Sequence, residues 1–290
     1  MTQLLLFNAF NGLIQGAFYA LMALGLALIL SLNSVINMAH GGFLVIGAYL
    51  AYVFAPYVGF AGAIVLGPVA AAAIGMVVER VLIRPLYKRP DPLYTLLLTF
   101  GLALVIQDLT RTIWGPTGLP FEVPQILASP VSTVFFFITG YRLLVVALVA
   151  VAVIGLFLLL RRTPLGIRIR AGTLDLETVS ALGVDIYKLR ALNFGLGCLL
   201  AGLAGVLAAG VLGLTPPMGN SLIMPSFVAI IVGGVGSLVG AILGGLLIGL
   251  AAGITTTFYP AASEAVIYLI MLIVLVVRPR GLLGQEGLFE

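Results

Sequence analysis

The chain has 290 residues, 62% of them hydrophobic and 8% charged, against roughly 25% charged in an ordinary soluble domain. A mean hydropathy of +1.24 leaves too little polar surface for a soluble protein, and apolar runs near about 20 residues, enough to span some 30 Å of hydrocarbon, recur along the chain. A transmembrane barrel, which needs alternating segments of about ten residues, is excluded as well.

What remains is an all-α, polytopic membrane protein with about eight to nine membrane-embedded helical segments. The net charge of +4 is small and its basic residues fall in loops. They read as topology determinants, and nucleic acid is not an expected partner. Cys198 is the single cysteine, which excludes an intrachain disulfide and a cysteine metal cluster and leaves it a small packing residue.

In chain order, the first apolar run is Leu4 to Leu30. It has no basic region ahead of it and is about twice the length of a signal-peptide core, so it reads as a retained span. Further spans are predicted at 37–55, 61–83, 93–113, 142–160, 191–213, somewhere within 223–257, and at 262–277. Three clusters hold 12 of the 14 basic residues: Arg80, Arg84, Lys88 and Arg89; Arg161, Arg162, Arg168, Arg170, Lys188 and Arg190; Arg278 and Arg280. Only Arg111 and Arg142 remain for the other side. The positive-inside rule predicts all three clusters and the C-terminus in the cytoplasm and the N-terminus outside.

This count requires 223–257 to cross an even number of times. About 35 residues give about 52 Å of helix, short of the roughly 60 Å that two full crossings need. A broken or re-entrant hairpin resolves the conflict, with its break at GGVGSLVG, Gly233 to Gly240. No Lys-Ser/Thr follows that stretch, so it reads as helix packing rather than a phosphate loop. Gly236, Gly240 and Gly244 form one small-residue ladder, and Gly245, Gly249 and Gly253 another.

An earlier stretch is interrupted in a similar way. SLNSVINMAHGGFLVIGAYLA follows the first span, as TPPMGNSLIMPSFVAIIVGGVGSLVG follows 191–213. Paired interrupted segments point to inverted repeats with a transport path at their interface. Asn37, His40, Gly41, Gly42, Gly233, Gly234 and Gly236 are the candidate path or helix-break residues. His40, the only histidine, has two readings: it hydrogen-bonds a freed carbonyl at the break, with Asn37 acting as a cap, or it touches a passing substrate. No second histidine supports a metal, and the spans lack the ionisable chain of a proton relay.

The polar stretch 161–190 carries a predicted short amphipathic helix from Asp175 to Leu182. Leu176, Val179 and Leu182 share one face, with Thr173 or Asp175 as its cap and Gly183 as its end. It reads as a surface helix on the headgroups or as a docking helix for a cytoplasmic partner.

NMAHGGFLVIGAY, LGIRIRAGTLDLETVSALGVDIYKLRALNFGLGCLLAGLAGVL and PSFVAIIVGGVGSLVGAILGG resemble the membrane permease of branched-chain amino-acid ABC importers, LivH type. The resemblance runs over nearly the whole chain and implies one transmembrane permease domain over 1–290, in a bacterial inner membrane. It also implies its partners: a second permease (LivM-like or another copy), two ATPases docked beneath, and a substrate-binding protein. The ATPase contact would fall on Asp175, Leu176, Glu177, Thr178, Val179, Ala181, Leu182 and Gly183. Here Glu177-Thr178-Val179-Ser180 departs from the family's common Ala-Ala pattern.

No Walker A pattern occurs, so no cofactor and no catalytic residue are expected in this chain, and ATP is used by the partners. A path for leucine, isoleucine or valine needs no fixed charge. A related importer of urea, short amides or another small polar solute stays open. An ion-coupled secondary transporter would need buried carboxylates, whereas Asp108 and Glu264 lie near span ends. An intramembrane serine hydrolase would need a GxSxG elbow, which is missing.

Overall fold

The computed structural model describes residues 1–89, 91–132 and 137–284. α1 (Thr2–Asn33) stops at Ser34, which adopts the left-handed conformation (φ 55) and donates its N–H to the Leu30 carbonyl. Non-helical backbone over 34–39 leads to α2 (His40–Val78).

Although helical almost throughout, α2 is not one rod. Gly59 has φ 73 and ψ 173, and a methyl group built on Gly67 would lie 2.6 Å from the Gly47 carbonyl oxygen. Along a straight helix these positions would be about 30 Å apart. The arms 40–58 and 60–78 therefore fold back on each other, and they are the two spans expected at 37–55 and 61–83.

A π-helical turn (Glu79–Ile83) and a 3-10 turn (Arg84–Lys88) lead to α3 (Leu93–Trp114). Then come α4 (Gln125–Ala128), a small antiparallel hairpin of β1 (Pro130–Ser132) and β2 (Phe137–Thr139), and α5 (Gly140–Arg162). α6 (Pro164–Leu174) and α7 (Leu176–Ala181) precede α8 (Ile186–Leu212), α9 (Met218–Gly233) and α10 (Leu238–Phe258). A 3-10 turn (Pro260–Ala262) and α11 (Ser263–Val277) complete the fold. Among the described residues seven helical segments are long and apolar enough to cross a membrane, the last being α11 together with the 3-10 turn before it, and the fold is all-α and multi-pass, as expected. The segment expected at 223–257 is a hairpin of α9 and α10, with its connection at 234–237. α9 begins at Met218 and, with 16 residues, is about 24 Å long.

α1 and α8 are buried along most of their length, while α3, α5 and α11 show most of their surface. The centre is held by backbone approaching backbone. Gly245, Gly249 and Gly253 of α10 meet Ala20, Gly16 and Gly12 of α1. Symmetrically, Gly75 of the second α2 arm meets Cys198 of α8, and Gly202 of α8 meets Pro68 and Ala71. Each pair runs antiparallel, so α1 with α10 repeats the packing of α8 with the second α2 arm. With no hydrophobic drive between helices in lipid, such close approach lets dispersion hold them. The expected ladder of Gly236, Gly240 and Gly244 needs a correction: Gly236 lies in the α9–α10 connection with φ 88, leaving Gly240 and Gly244 against Gly233 and Ala229.

The three basic clusters gather at one end of the bundle. Arg84 stacks 3.9 Å over the Tyr187 ring and Arg190 4.1 Å over that of Tyr87, and residues 281–284, just after Arg280, pack on the α9–α10 turn. Arg142 lies at the far end, 5.7 Å over the Phe7 ring, and Arg111 lies one turn before the end of α3. The chain's terminal residues 285–290, part of the expected cytoplasmic C-terminus, lie outside the described residues.

Candidate functional site

The two interrupted segments meet. A methyl group built on Gly219 would lie 2.3 Å from the Gly41 carbonyl oxygen, and one on Gly41 would lie 2.8 Å from that of Gly219. Each glycine is the second residue of its helix, α2 or α9. From this contact the first α2 arm runs to the far end and α9 to the basic end. The long helices before them, α1 and α8, cross at Gly25 and Gly197. Two half-helices thus start back to back inside the bundle, the arrangement that discontinuous transporter helices use.

Around this junction the first break is finished by α3. The Thr99 hydroxyl donates to the Ile36 carbonyl at 3.0 Å and accepts from the Met38 N–H at 3.2 Å. Loose backbone inside a membrane needs such partners. The expected partners do not supply them. Asn37 and His40 are both 0% exposed, and their side-chain polar atoms have no hydrogen-bond partner among the described residues. The imidazole sits against Gly25, beside the Met22 carbonyl, without reaching hydrogen-bond geometry. The non-helical stretch is also shifted from expectation: it covers 34–39, so Asn37 is in the break while His40, Gly41 and Gly42 form the first turn of α2. Gly42 packs against Ile106 of α3.

Gly233, Gly234 and Gly236 lie elsewhere. They form the α9–α10 turn at the basic end, where Leu282 and Leu283 donate backbone N–H groups to Val232 and Gly233, both at 2.9 Å. Gly234 has φ 103, and a methyl there would meet the Gly284 backbone at 2.3 Å. Gly233 is the last residue of α9 and Gly234 and Gly236 lie in the connection after it, so none of the three is a member of the junction. The counterpart of Gly41 is Gly219, which the sequence reading passed over because the expected span began at 223.

At the basic end lies a polar network that hydropathy does not reveal. Asn193 of α8 donates to the Leu28 carbonyl at 2.7 Å and to Asn33 Oδ1 at 2.9 Å. Asn33 donates to the Tyr87 hydroxyl at 2.7 Å and to the Arg190 carbonyl at 3.2 Å. Tyr87 then donates to Glu79 at 2.9 Å, and Glu79 is fully buried in the π-helical turn. This network ties the ends of α1, α2 and α8 together just before the 161–190 segment rejoins the bundle. Single Asn and Glu residues at span ends carry no periodic signal, so only the fold gathers them.

The expected short helix is α7, Leu176–Ala181. Asp175 caps it, accepting from the N–H groups of Glu177 at 2.9 Å and Thr178 at 3.0 Å and from the Thr178 hydroxyl. Thr173 instead donates to the Arg170 carbonyl. Hydrogen bonds from the Thr178 hydroxyl, then from the backbone, hold the Asp175 carboxyl below the usual aspartate range. Gly183, with φ 84, ends the turn.

The expected docking edge is corrected by burial. Val179 is 6% exposed and Leu176 packs against the core, while Leu182 is 78% exposed. The helix is held to its own chain by the first two. It offers Leu182 outward together with Glu177, Thr178, Ser180, Ala181 and the neighbouring Leu174.

Residues 8–275 match the family model described as "Branched-chain amino acid transport system / permease component". The chain belongs to this permease family. A relative from Escherichia coli K12, a high-affinity branched-chain amino acid transport system permease protein LivH, is 28% identical over 95% of this chain and 94% of its own. BraD of Pseudomonas aeruginosa, also a high-affinity branched-chain amino acid transport system permease protein, is 29% identical with the same coverage. LivM of Salmonella typhimurium is 28% identical over 76% of this chain and 57% of its own. PsaBC from Streptococcus pneumoniae in complex with Fab aligns with 92% of this chain and 89% of its own, at 16% identity and a TM-score of 0.48. The permease is thus a multi-pass membrane component of an ABC transport system. Among its described residues no group of three or more His, Cys, Asp or Glu is placed to hold a metal ion.

Proposed function

We propose that the permease is one of two membrane subunits of an ABC importer for leucine, isoleucine and valine, set in a bacterial inner membrane. Its basic loops and C-terminus face the cytoplasm. The second membrane subunit is a related permease or a second copy, a binding protein delivers the amino acid, and two ATPases docked beneath supply ATP hydrolysis. The observation that carries this reading is the family match over 8–275, together with relatives of that named activity along nearly their whole length. The Gly41–Gly219 junction supports it, since paired half-helices place a break where a small solute crosses. So does the gathering of 12 basic residues at one end, which follows the positive-inside rule.

The 174–183 turn is the ATPase contact. Leu176 and Val179 fix it to the bundle, so a push on Leu182 and its exposed neighbours is passed on through α6 and α8. Its partner is a shallow cleft rather than a deep groove, because one exposed leucine and a few small polar side chains bury little area.

The test is uptake by the complete complex in proteoliposomes. Leucine should accumulate only when ATP and loaded binding protein are both supplied. Accumulation driven by a sodium or proton gradient without ATP overturns the reading, as does ATP-driven uptake of urea or an amide with none of leucine.

A further inference from the structure

One turn of α3 carries polar groups where a lipid-facing helix would have none. Ile106 packs against Gly42, so this turn stands at the depth of the Gly41–Gly219 junction. The next residues point away from the core: Gln107 is partly exposed, and Asp108 and Arg111 are exposed. Gln107 Oε1 accepts a hydrogen bond of 3.0 Å from Asn220 of α9, which is also exposed. Gln107, Asp108 and Arg111, with Leu104 and Val105, line a shallow depression of about 440 Å³.

Neither charge is used internally. Among the described residues the one ion pair is Lys188 with Asp185, so Asp108 and Arg111 are paired neither with each other nor with another described charge. Arg111 lies three residues, about 4.5 Å, before the end of α3 and can stretch its head to the membrane surface. Asp108, about 9 Å inside, has a side chain too short to do so, and the Gln107–Asn220 bridge lies deeper still. Lipid cannot solvate such groups. This face therefore meets water or a polar solute.

We propose that this stripe is a contact site for the zwitterionic head of an α-amino acid. Asp108 receives the ammonium group and Arg111 the carboxylate, while the free amide groups of Gln107 and Asn220 complete the hydrogen bonds. Leu104 and Val105, one turn back, face the apolar side chain. Helix positions three apart hold their side chains about 5–6 Å apart, which brackets a head whose two charges share one carbon. Both charges have to be present for the pair to select a zwitterion over a singly charged analogue. A fixed but self-neutral pair also revises the expectation that the path carries no charge. The inference rests on the reading of the protein as an amino-acid importer.

The experiment uses the complete complex in nanodiscs without binding protein, and records saturation-transfer NMR signals for leucine, leucinamide and 4-methylpentanoate. Wild type should favour leucine at least about fivefold over either analogue. Arg111→Gln should remove the preference over leucinamide and keep the one over 4-methylpentanoate. Asp108→Asn should do the reverse, and Arg111→Lys should retain both. A role in folding alone would lower all signals together and leave the ratios unchanged. Unchanged ratios in both neutral variants overturn the proposal. ATP-driven uptake by wild-type complex from the same preparation separates the two claims: leucine import with unchanged ratios sinks only this site, whereas no import of branched-chain amino acids sinks the importer reading and this site with it.

Discussion

After α1, the loose backbone at 34–39 is stitched to α3 by both bonding directions of the Thr99 hydroxyl, and the side chains beside it, Asn37 and His40, are sealed inside. After α8, the equivalent stretch at 213–217 is joined to the segment between α3 and α4 through the Leu119 N–H, which donates to the Leu214 carbonyl at 2.8 Å. The polar side chains that follow it, Asn220 and Ser221, stand exposed. Both breaks do one geometric task, starting a half-helix at the glycine contact. Their surroundings differ because an inverted repeat conserves how backbones pack, while each copy's side chains answer to what lies outside them. The first half anchors the bundle; the second presents polar groups outward.

The strongest way to break this comparison is to fill the contact both halves share. Gly219→Val places a methyl 2.3 Å from a backbone carbonyl oxygen that cannot move without shifting α2. A cost of about 3 kcal/mol or more is expected, seen as a lower thermal midpoint and a reduced yield of monodisperse complex. Gly155→Ala, with nothing within 4 Å, should be silent. Normal assembly of Gly219→Val would show that the junction is not close-packed.

Next in size is the contrast within the 174–183 turn. Val179→Asp puts charge at a buried position and should destabilise the permease by a few kcal/mol. Leu182→Asp should leave the thermal midpoint unchanged while ATPase subunits fail to copurify or hydrolyse ATP without stimulation. If both variants lose stability equally, the turn has no free face.

Smaller again, Thr99→Val should cost about 1–3 kcal/mol, because it leaves an amide and a carbonyl in the first break unpaired. Ser221→Ala, beside the second break, should stay within about 0.5 kcal/mol. Equal costs would mean that the breaks are finished alike.

The smallest effect concerns pH. The Asp175 carboxyl titrates below its ordinary value of about 3.9, so its capping contribution is complete above that value. It is lost only as pH falls through the lower folded value. ATPase stimulation should therefore show no step assignable to Asp175 between pH 8 and pH 5, and Asp175→Asn should not create one.

Much of this was legible in the sequence, for reasons that also explain the gaps. Apolar length gave the spans, and the glycines at 245, 249 and 253 gave a helix contact because nothing but backbone can occupy such a face. The pairing of the two interrupted segments was readable from their placement after long spans, as was a short capped helix near Asp175. The sequence did not show that Gly219 rather than Gly233 is the partner of Gly41, since hydropathy places a boundary no better than a few residues. Nor did it show that Val179 turns inward, because an apolar edge looks the same whether it faces its own bundle or a partner. The Asn33, Tyr87, Glu79 and Asn193 network was invisible: its members come from three separate spans and meet only when α1 and α8 cross.

The asymmetry between the two breaks is tested most directly by thiol accessibility in the complete complex, using a membrane-impermeant methanethiosulfonate reagent. Cys198 is fully buried and provides a quiet background. Asn220→Cys should react at least about tenfold faster than Asn37→Cys, since thiol reactivity follows exposure, and leucine should slow it. Labelling of Asn37→Cys as fast as Asn220→Cys would contradict the account, because the first break would then be as open to water as the second.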